Sequence, residues 1–204
     1  MHAESRRGRL FVFEGLDQSG KQTQSEFLRD HLTAAGLSVR LLSFPDYSTT
    51  IGDEIARALR GERDYGPDVM QLLYVANRHE RRAEIEAGLA AGTVFVCDRY
   101  RASSVAYGEA QGLDPDWLMS IQQFLPAPDL TVLLDIAPER AAARKISDRD
   151  KYERDLALLG RVRQSYLRQS AAGWTVLDGA GDRAIIAAQV RAAVAALLEP
   201  PPAL

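Results

Sequence analysis

Apolar residues along the chain fall into five short runs set between stretches of helical periodicity. Leu10 to Phe13, Val39 to Phe44, Thr93 to Cys97, Leu130 to Asp135 and Trp174 to Leu177 read as buried strands. After the first run, the spacing predicts a helix with Phe27, Leu28, His31 and Leu32 on one side, ending near Gly36. Further helices are expected over 51–59, as one long element over 69–89, over 103–111 and over 115–124. Another opens at Pro138, one runs through Leu156, Leu159, Val162 and Tyr166, and one closes the pattern over 183–198. No internal repeat is visible. Strands alternating with helices predict a single α/β domain over 1–204, with a five-stranded parallel sheet covered by helices on both faces. A tail over 199–204, rich in proline, is expected to be disordered.

In such a fold, ligands gather outside the carboxyl ends of the strands. The first strand runs into a loop of the form G-x-x-x-x-G-K, from Gly15 through Gly20 to Lys21, and then into a helix. Strand, glycine loop and helix together make a phosphate-binding loop. The glycines let backbone N–H groups turn inward around phosphate oxygens, and the helix N-terminus adds its partial positive charge. Lys21 adds a point charge for terminal phosphates. A Ser or Thr customarily follows the lysine and offers a hydroxyl to magnesium; here Gln22 stands there, with Thr23 one residue on.

Composition narrows the picture only slightly. The 204 residues carry a net charge of −3, which argues against a dedicated nucleic-acid surface. One cysteine, Cys97, excludes an internal disulfide, and its apolar setting predicts a buried, inert thiol. No apolar run approaches the ~20 residues needed to cross a membrane. The short basic stretch from Met1 to Gly8 lacks an apolar signal core, so a cytoplasmic protein is expected.

Three other groups bear on chemistry. Asp98, at the end of the third strand, is either a carboxylate that holds magnesium or a strand-end cap for the next helix, and Arg99 beside it can grip a phosphate. Tyr74 and Arg78 stand four residues apart on one helical face, either as core or as a platform and donor for a flat heterocycle. The charged stretch from Arg144 through Lys145, Arg149 and Lys151 to Arg154 is either a solvated face or a lid over phosphates.

These segments together resemble the thymidylate kinase family of P-loop nucleoside monophosphate kinases. The matching residues are Phe13-Glu-Gly-Leu-Asp-Gln-Ser-Gly-Lys-Gln-Thr-Gln24, Phe44-Pro45, Ala76-Asn-Arg78, Asp98-Arg-Tyr100 and Lys151-Tyr-Glu153, in family order over roughly residues 8–198. The resemblance implies a P-loop kinase fold with a short lid at about 144–153 that moves the γ-phosphoryl group of ATP to dTMP, with Mg2+ present. It also implies a homodimer, with the long helix as a plausible interface, and no nucleic-acid or membrane partner. For ATP it implies Gly15, Gln18, Ser19, Gly20, Lys21, Gln22 and Thr23, with Arg144 packed on adenine. For dTMP it implies Asp17 on the sugar 3′-hydroxyl, Tyr74 stacked on thymine and Arg78 on a base carbonyl. Arg99 would hold the acceptor phosphate, Phe44, Ser103 and Tyr107 the nucleoside, and Tyr152 the acceptor from the lid. Asp98 is the magnesium-side carboxylate, and the catalytic set is Lys21, Asp98, Arg99 and a lid arginine.

Three positions depart from the family pattern. Gln22 replaces the loop hydroxyl. Gln18 stands where one subgroup has a catalytic arginine and another a glycine, which moves that role to the lid and makes Arg149 the first candidate. Tyr47 stands where many members carry a second phosphate-binding arginine. Two other functions stay open: a kinase of another nucleoside monophosphate, and a catalytically impaired nucleotide-binding module.

Overall fold

The computed structural model describes residues 7–144 and 155–198. Arg149 and Tyr152, most of the expected lid and the tail over 199–204 lie outside the described residues.

The five strands are β1 (Leu10–Glu14), β2 (Val39–Ser43), β3 (Val94–Asp98), β4 (Leu130–Asp135) and β5 (Thr175–Asp178), in the order β2-β3-β1-β4-β5 and parallel throughout. β1 lies at the centre and is buried along its whole length. Its side chains alternate between two cores, as the pleat requires. Phe11 and Phe13 face α1 (Lys21–Ala34) and α9 (Arg183–Leu198), through Leu28, Leu32, Ile186 and Val190. Leu10 and Val12 face the other side, with Phe95, Cys97 and Ile85. That second face is covered by α4 (Arg82–Ala90), α5 (Arg101–Ala110) and α8 (Leu156–Ser170). Cys97 is fully buried, and burial together with the Glu14 and Asp98 charges raises its thiol far above the usual range.

The loop leaving β1 leads to a helix on one face and the loop leaving β3 to a helix on the other. Their carboxyl ends therefore diverge and leave a crevice between them. β3 holds its place beside β1 in a register that sets Phe13 opposite Asp98.

The long helix expected over 69–89 is two helices, α3 (Pro67–His79) and α4, joined by a turn in which Arg81 N–H donates to the Arg78 carbonyl at 3.1 Å. α3 packs on α2 (Thr50–Leu59) and α5, whereas α4 lies on β3, so the axis bends where the chain descends onto the sheet. The apolar spacing continues across the bend, which is why periodicity alone does not show it. Phe27 and His31 are also corrected. Phe27 is 44% exposed, because the inward stripe of α1 is Gln24, Leu28 and Leu32, spaced by four. The helix expected over 115–124 stops at Ser120 (α6, Pro115–Ser120), leaving Phe124 exposed.

Asn77 ties the crevice wall together. It is fully buried; its Oδ1 accepts from Asp46 N–H at 2.7 Å, and its Nδ2 donates to Thr49 Oγ1 at 2.9 Å. Thr49 in turn caps α2 through Gly52 N–H at 3.0 Å. One side chain thus holds the loop after Phe44-Pro45 against α3. Asn77→Ala should lower stability by about 2–4 kcal/mol by orphaning buried partners. Urea unfolding measures this, and a loss within about 0.5 kcal/mol would show the loop to be held otherwise.

Candidate active site

β1 ends at Glu14 and the backbone turns at once. Gly15 has φ +139°, and a Cβ there would stand 2.6 Å from the Leu134 carbonyl oxygen. Gln18 (φ +62°) and Gly20 (φ +100°) complete the bend, and Gly20 caps α1 without a side-chain bond. The first N–H groups of α1 have no carbonyl partner within the helix, as at any helix start. Lys21, 5% exposed, donates from Nζ to the Leu16 carbonyl at 2.8 Å, arching over the loop. Burial, then the Arg99 charge, hold its ammonium below the ordinary lysine range. A cleft of about 460 Å³ opens here, walled by the loop, Thr23, Asp98, Arg144 and Arg183. Arg144 donates from Nη1 to the Gln18 carbonyl at 2.9 Å.

The end of β3 meets the loop. Asp98 lines the cleft, and its Oδ1 is buried without a hydrogen-bond partner. Arg99 has φ +64°, a left-handed conformation that is costly for a non-glycine residue and here turns its side chain back across β1. Its Nη1 donates to the Gly15 carbonyl (3.1 Å), Ser103 Oγ (3.2 Å) and Tyr166 Oη (3.2 Å), and its Nη2 to Asp17 Oδ1 (2.7 Å). The guanidinium also lies 5.3 Å from the Tyr107 ring centroid. Burial works against the Arg99 charge, but Asp17 beside it more than compensates and raises its pKa well above the usual value. Burial would raise Asp17; the Arg99 and Lys21 charges overcome it and hold the carboxyl well below its ordinary range.

A second cleft, of about 90 Å³, shares Asp17 with the first and is walled by Phe44, Tyr47, Tyr74, Arg78, Arg99 and Tyr107. Tyr74 and Arg78 both face it, as their four-residue spacing anticipates. Arg78 is 3% exposed and donates from Nη1 to Ser104 Oγ (2.7 Å) and Gln122 Oε1 (3.3 Å), while its Nε has no partner. Burial pulls its pKa down to about 10, which leaves it charged at neutral pH. Tyr107 donates to Asp17 Oδ2 at 3.1 Å, and Ser103 lies in the same wall. The Phe44-Pro45 peptide is cis, and the Phe44 ring packs 5.8 Å from that of Tyr100.

The structure thus brings all the expected site residues among those described to the loop or to one of these two clefts. Sequence reasoning missed others. Glu14 is fully buried and accepts from Tyr100 N–H (2.9 Å), Ser103 Oγ (2.6 Å) and Tyr166 Oη (3.2 Å). Its signal was an acidic residue closing an apolar strand. Tyr166 read only as a helical core position, and Gln71 and Ser104 carried no pattern at all. Gly179, in the β5–α9 connection, and Arg183, at the start of α9, also line the first cleft.

A glycine loop with a buried lysine, opening onto a carboxylate at the end of the neighbouring strand and a second cleft with its own buried arginine, defines a P-loop nucleotide kinase. The family model described as Thymidylate kinase matches residues 13–187. A thymidylate kinase of Arabidopsis thaliana is 38% identical over 172 residues, 84% of this chain and 65% of that protein. The human thymidylate kinase is 35% identical over 179 residues, 85% of this chain and 84% of that one. The solved thymidylate kinase of Candida albicans superposes with a TM-score of 0.78 at 28% identity, covering 94% of this chain and 92% of that one. The chain belongs to the thymidylate kinase family.

The Asp17–Arg99 pair makes stability depend on pH. A carboxyl with a depressed folded pKa stabilises the fold above its unfolded value of about 3.9, and the contribution is lost as pH falls through the folded pKa. The Asp17 side chain is 35% exposed, so water weakens the effect. Asp17→Asn should therefore flatten the decline in unfolding free energy between about pH 5 and pH 3. Parallel urea titrations check this; identical slopes would remove the coupling.

Proposed function

We propose that this domain is an ATP-dependent dTMP kinase, forming dTDP and ADP, with Mg2+ as the metal. The observation that supports it best is the junction of two clefts at Asp17: a phosphate loop with buried Lys21 on one side, and a pocket with Tyr74, Arg78 and Arg99 on the other. Family membership gives the acceptor its name. ATP phosphates lie on the loop N–H groups and Lys21, and Arg144 stands at the outer edge, towards the adenine. The dTMP base stacks on Tyr74 with a carbonyl on Arg78, its 3′-hydroxyl on Asp17 and its phosphate on Arg99. Tyr107 fills the space that a ribose 2′-hydroxyl would need.

Phosphoryl transfer needs positioning and charge stabilisation more than proton chemistry. The acceptor is already an anion, so a strong base is unnecessary. Lys21 and the loop N–H groups meet the charge spread over the γ-phosphoryl oxygens, and Arg99 lowers repulsion between the two anions. Asp98, with its buried and unpartnered Oδ1, fits a magnesium that takes most of its ligands from phosphate and water. Held there, magnesium would supply positive charge against the charge that develops on the phosphates. Gln22, whose amide donates to Glu26 Oε1 at 3.0 Å, offers no hydroxyl to it. Arg149 supplies the further catalytic cation and Tyr152 an acceptor contact.

Val69 and Leu72, large apolar side chains exposed on α3, support a homodimer formed through that helix. Among the described residues no helix is long and apolar enough to cross a membrane, and the cysteine is reduced and buried. A cytoplasmic enzyme of deoxynucleotide supply accords with both. Gln22 favours one second reading, a nucleotide binder with impaired catalysis.

Coupled ADP release with Mg-ATP should be fast with dTMP and slow with dCMP and the ribonucleotide. dUMP, which lacks only a methyl, should be discriminated by no more than about 10- to 200-fold. Lys21→Ala should lower kcat by roughly 100-fold or more. Equal turnover of all acceptors would overturn the assignment of dTMP, and nucleotide binding without turnover would establish the second reading.

A further inference from the structure

Among the described residues, Gln71 is a buried polar side chain, both of whose polar atoms lack partners, that neither the fold nor the proposed chemistry explains. It lies on α3, is fully buried, and lines the acceptor cleft beside Tyr74 and Arg78. Neither its Oε1 nor its Nε2 has a hydrogen-bond partner. An amide buried this way is destabilising on its own account, since both atoms lose water and gain nothing. An apolar residue of the same volume would serve the packing better.

The space it occupies is nevertheless kept for it. Gly108, on the facing helix α5, leaves room: a Cβ there would lie 3.3 Å from Gln71 Cγ and 2.7 Å from Leu118 Cδ1. Two turns further along α3, Arg78 offers donors alone, with its Nε also buried and unpartnered. A planar amide, which can both accept and donate, thus stands beside a fixed donor on one cleft wall. The complementary ligand edge has a carbonyl next to an N–H, the imide edge of an oxidised pyrimidine ring. An amino-pyrimidine, with an acceptor nitrogen beside an N–H2, would place donor against donor at Arg78.

We propose that Gln71 is a specificity-determining residue that hydrogen-bonds the imide edge of the acceptor base, its Oε1 accepting from the ring N3–H while Arg78 takes the adjoining carbonyl. This rests on the reading of the second cleft as the pyrimidine monophosphate site. Its energetic logic is that of a binding residue: two unpaired buried atoms destabilise the free protein and gain partners with the base.

Two variants test it. Gln71→Met keeps the volume and removes both polar atoms. It should raise the KM for dTMP by roughly 10- to 100-fold, leave the KM for ATP unchanged, and leave Tm unchanged or higher. A purely structural amide would instead lower Tm and spare the KM, which would overturn the proposal. Gln71→Ala opens space at the ring edge. N3-methyl-dTMP carries a methyl where the N–H stood; it should lose roughly 100-fold or more in kcat/KM with the wild-type protein and less than about tenfold, relative to dTMP, with Gln71→Ala. An equal loss in both proteins would show that another group faces N3. Wild-type turnover of dTMP without these effects sinks this inference alone, and absence of dTMP turnover sinks the function reading with it.

Discussion

The carboxylate of Glu14 is the constraint on which the rest of the site depends. A fully buried anion is tolerated only if its oxygens are well supplied with donors. Glu14 obtains them from the start of the next structural unit, through Tyr100 N–H and both the N–H and Oγ of Ser103, and from Tyr166 on α8. Satisfying one charge at the end of the central strand therefore fixes the β3–α5 connection and the inner face of α8. Arg99 is held in the same network, since Ser103 and Tyr166 accept from it as well. Its left-handed backbone persists because five neighbours determine where its guanidinium goes. Removing the Glu14 charge would strand the donors around it, so packing and active-site geometry share one origin.

The second feature is the number of cations withdrawn from water at one end of the sheet. Lys21, Arg78 and Arg99 are all largely buried, and burial disfavours each charge. Asp17 more than offsets this for Arg99, whereas Asp98 and then Asp17 offset only part of it for Lys21. Among the described residues Arg78 forms no ion pair, and burial, only partly countered by the Glu14 charge, pulls its pKa down to about 10. A protein that keeps such groups dry stores an affinity for anions and carbonyl oxygens, which return the lost solvation when they bind. The two clefts differ accordingly. The loop cleft supplies backbone N–H groups and point charge, suited to phosphates, whereas the second supplies planar donors beside aromatic rings, suited to a base.

The sequence made most of this legible, for physical reasons that vary by element. The five strands announced themselves because a parallel sheet buried on both faces needs continuous apolar runs, and the glycine loop because its turn admits few residues. The join between α3 and α4 was hidden, since apolar spacing carries through a bend set by tertiary packing. Phe27 misled because a one-residue offset on a helix moves a side chain by about 100°. Arg99 stood out by its place at a strand end and Tyr74 and Arg78 by their four-residue spacing, and the family pattern then gave each a role. Glu14, Gln71 and Tyr166 did not stand out, because their importance lies in partners supplied by distant elements. A glutamine in a helix looks the same whether its amide meets water or a wall of the active site.

The three departures at Gln18, Gln22 and Tyr47 point in one direction. Each is a side chain that neither carries a positive charge for phosphate nor offers the customary loop hydroxyl to a metal. In the proposed reaction the charge on the transferred group must then be met by other residues, and on the described part of the chain the cations at the two clefts include Lys21, Arg99, Arg144 and Arg183. Arg144 already touches the loop through the Gln18 carbonyl, so the backbone at Gln18 retains a link to a cation although its side chain carries none. Arg99 is turned inward by Asp17 and Tyr107, which leaves its grip on an acceptor phosphate dependent on how that pair rearranges. The 3′-hydroxyl proposed for Asp17 couples the two events: a sugar that engages the carboxylate weakens its hold on Arg99 as the phosphate arrives. In the proposed complex, an acceptor that brings a 3′-hydroxyl to Asp17 and a phosphate to Arg99 would replace both halves of that ion pair, which a nucleoside, having no phosphate, cannot do.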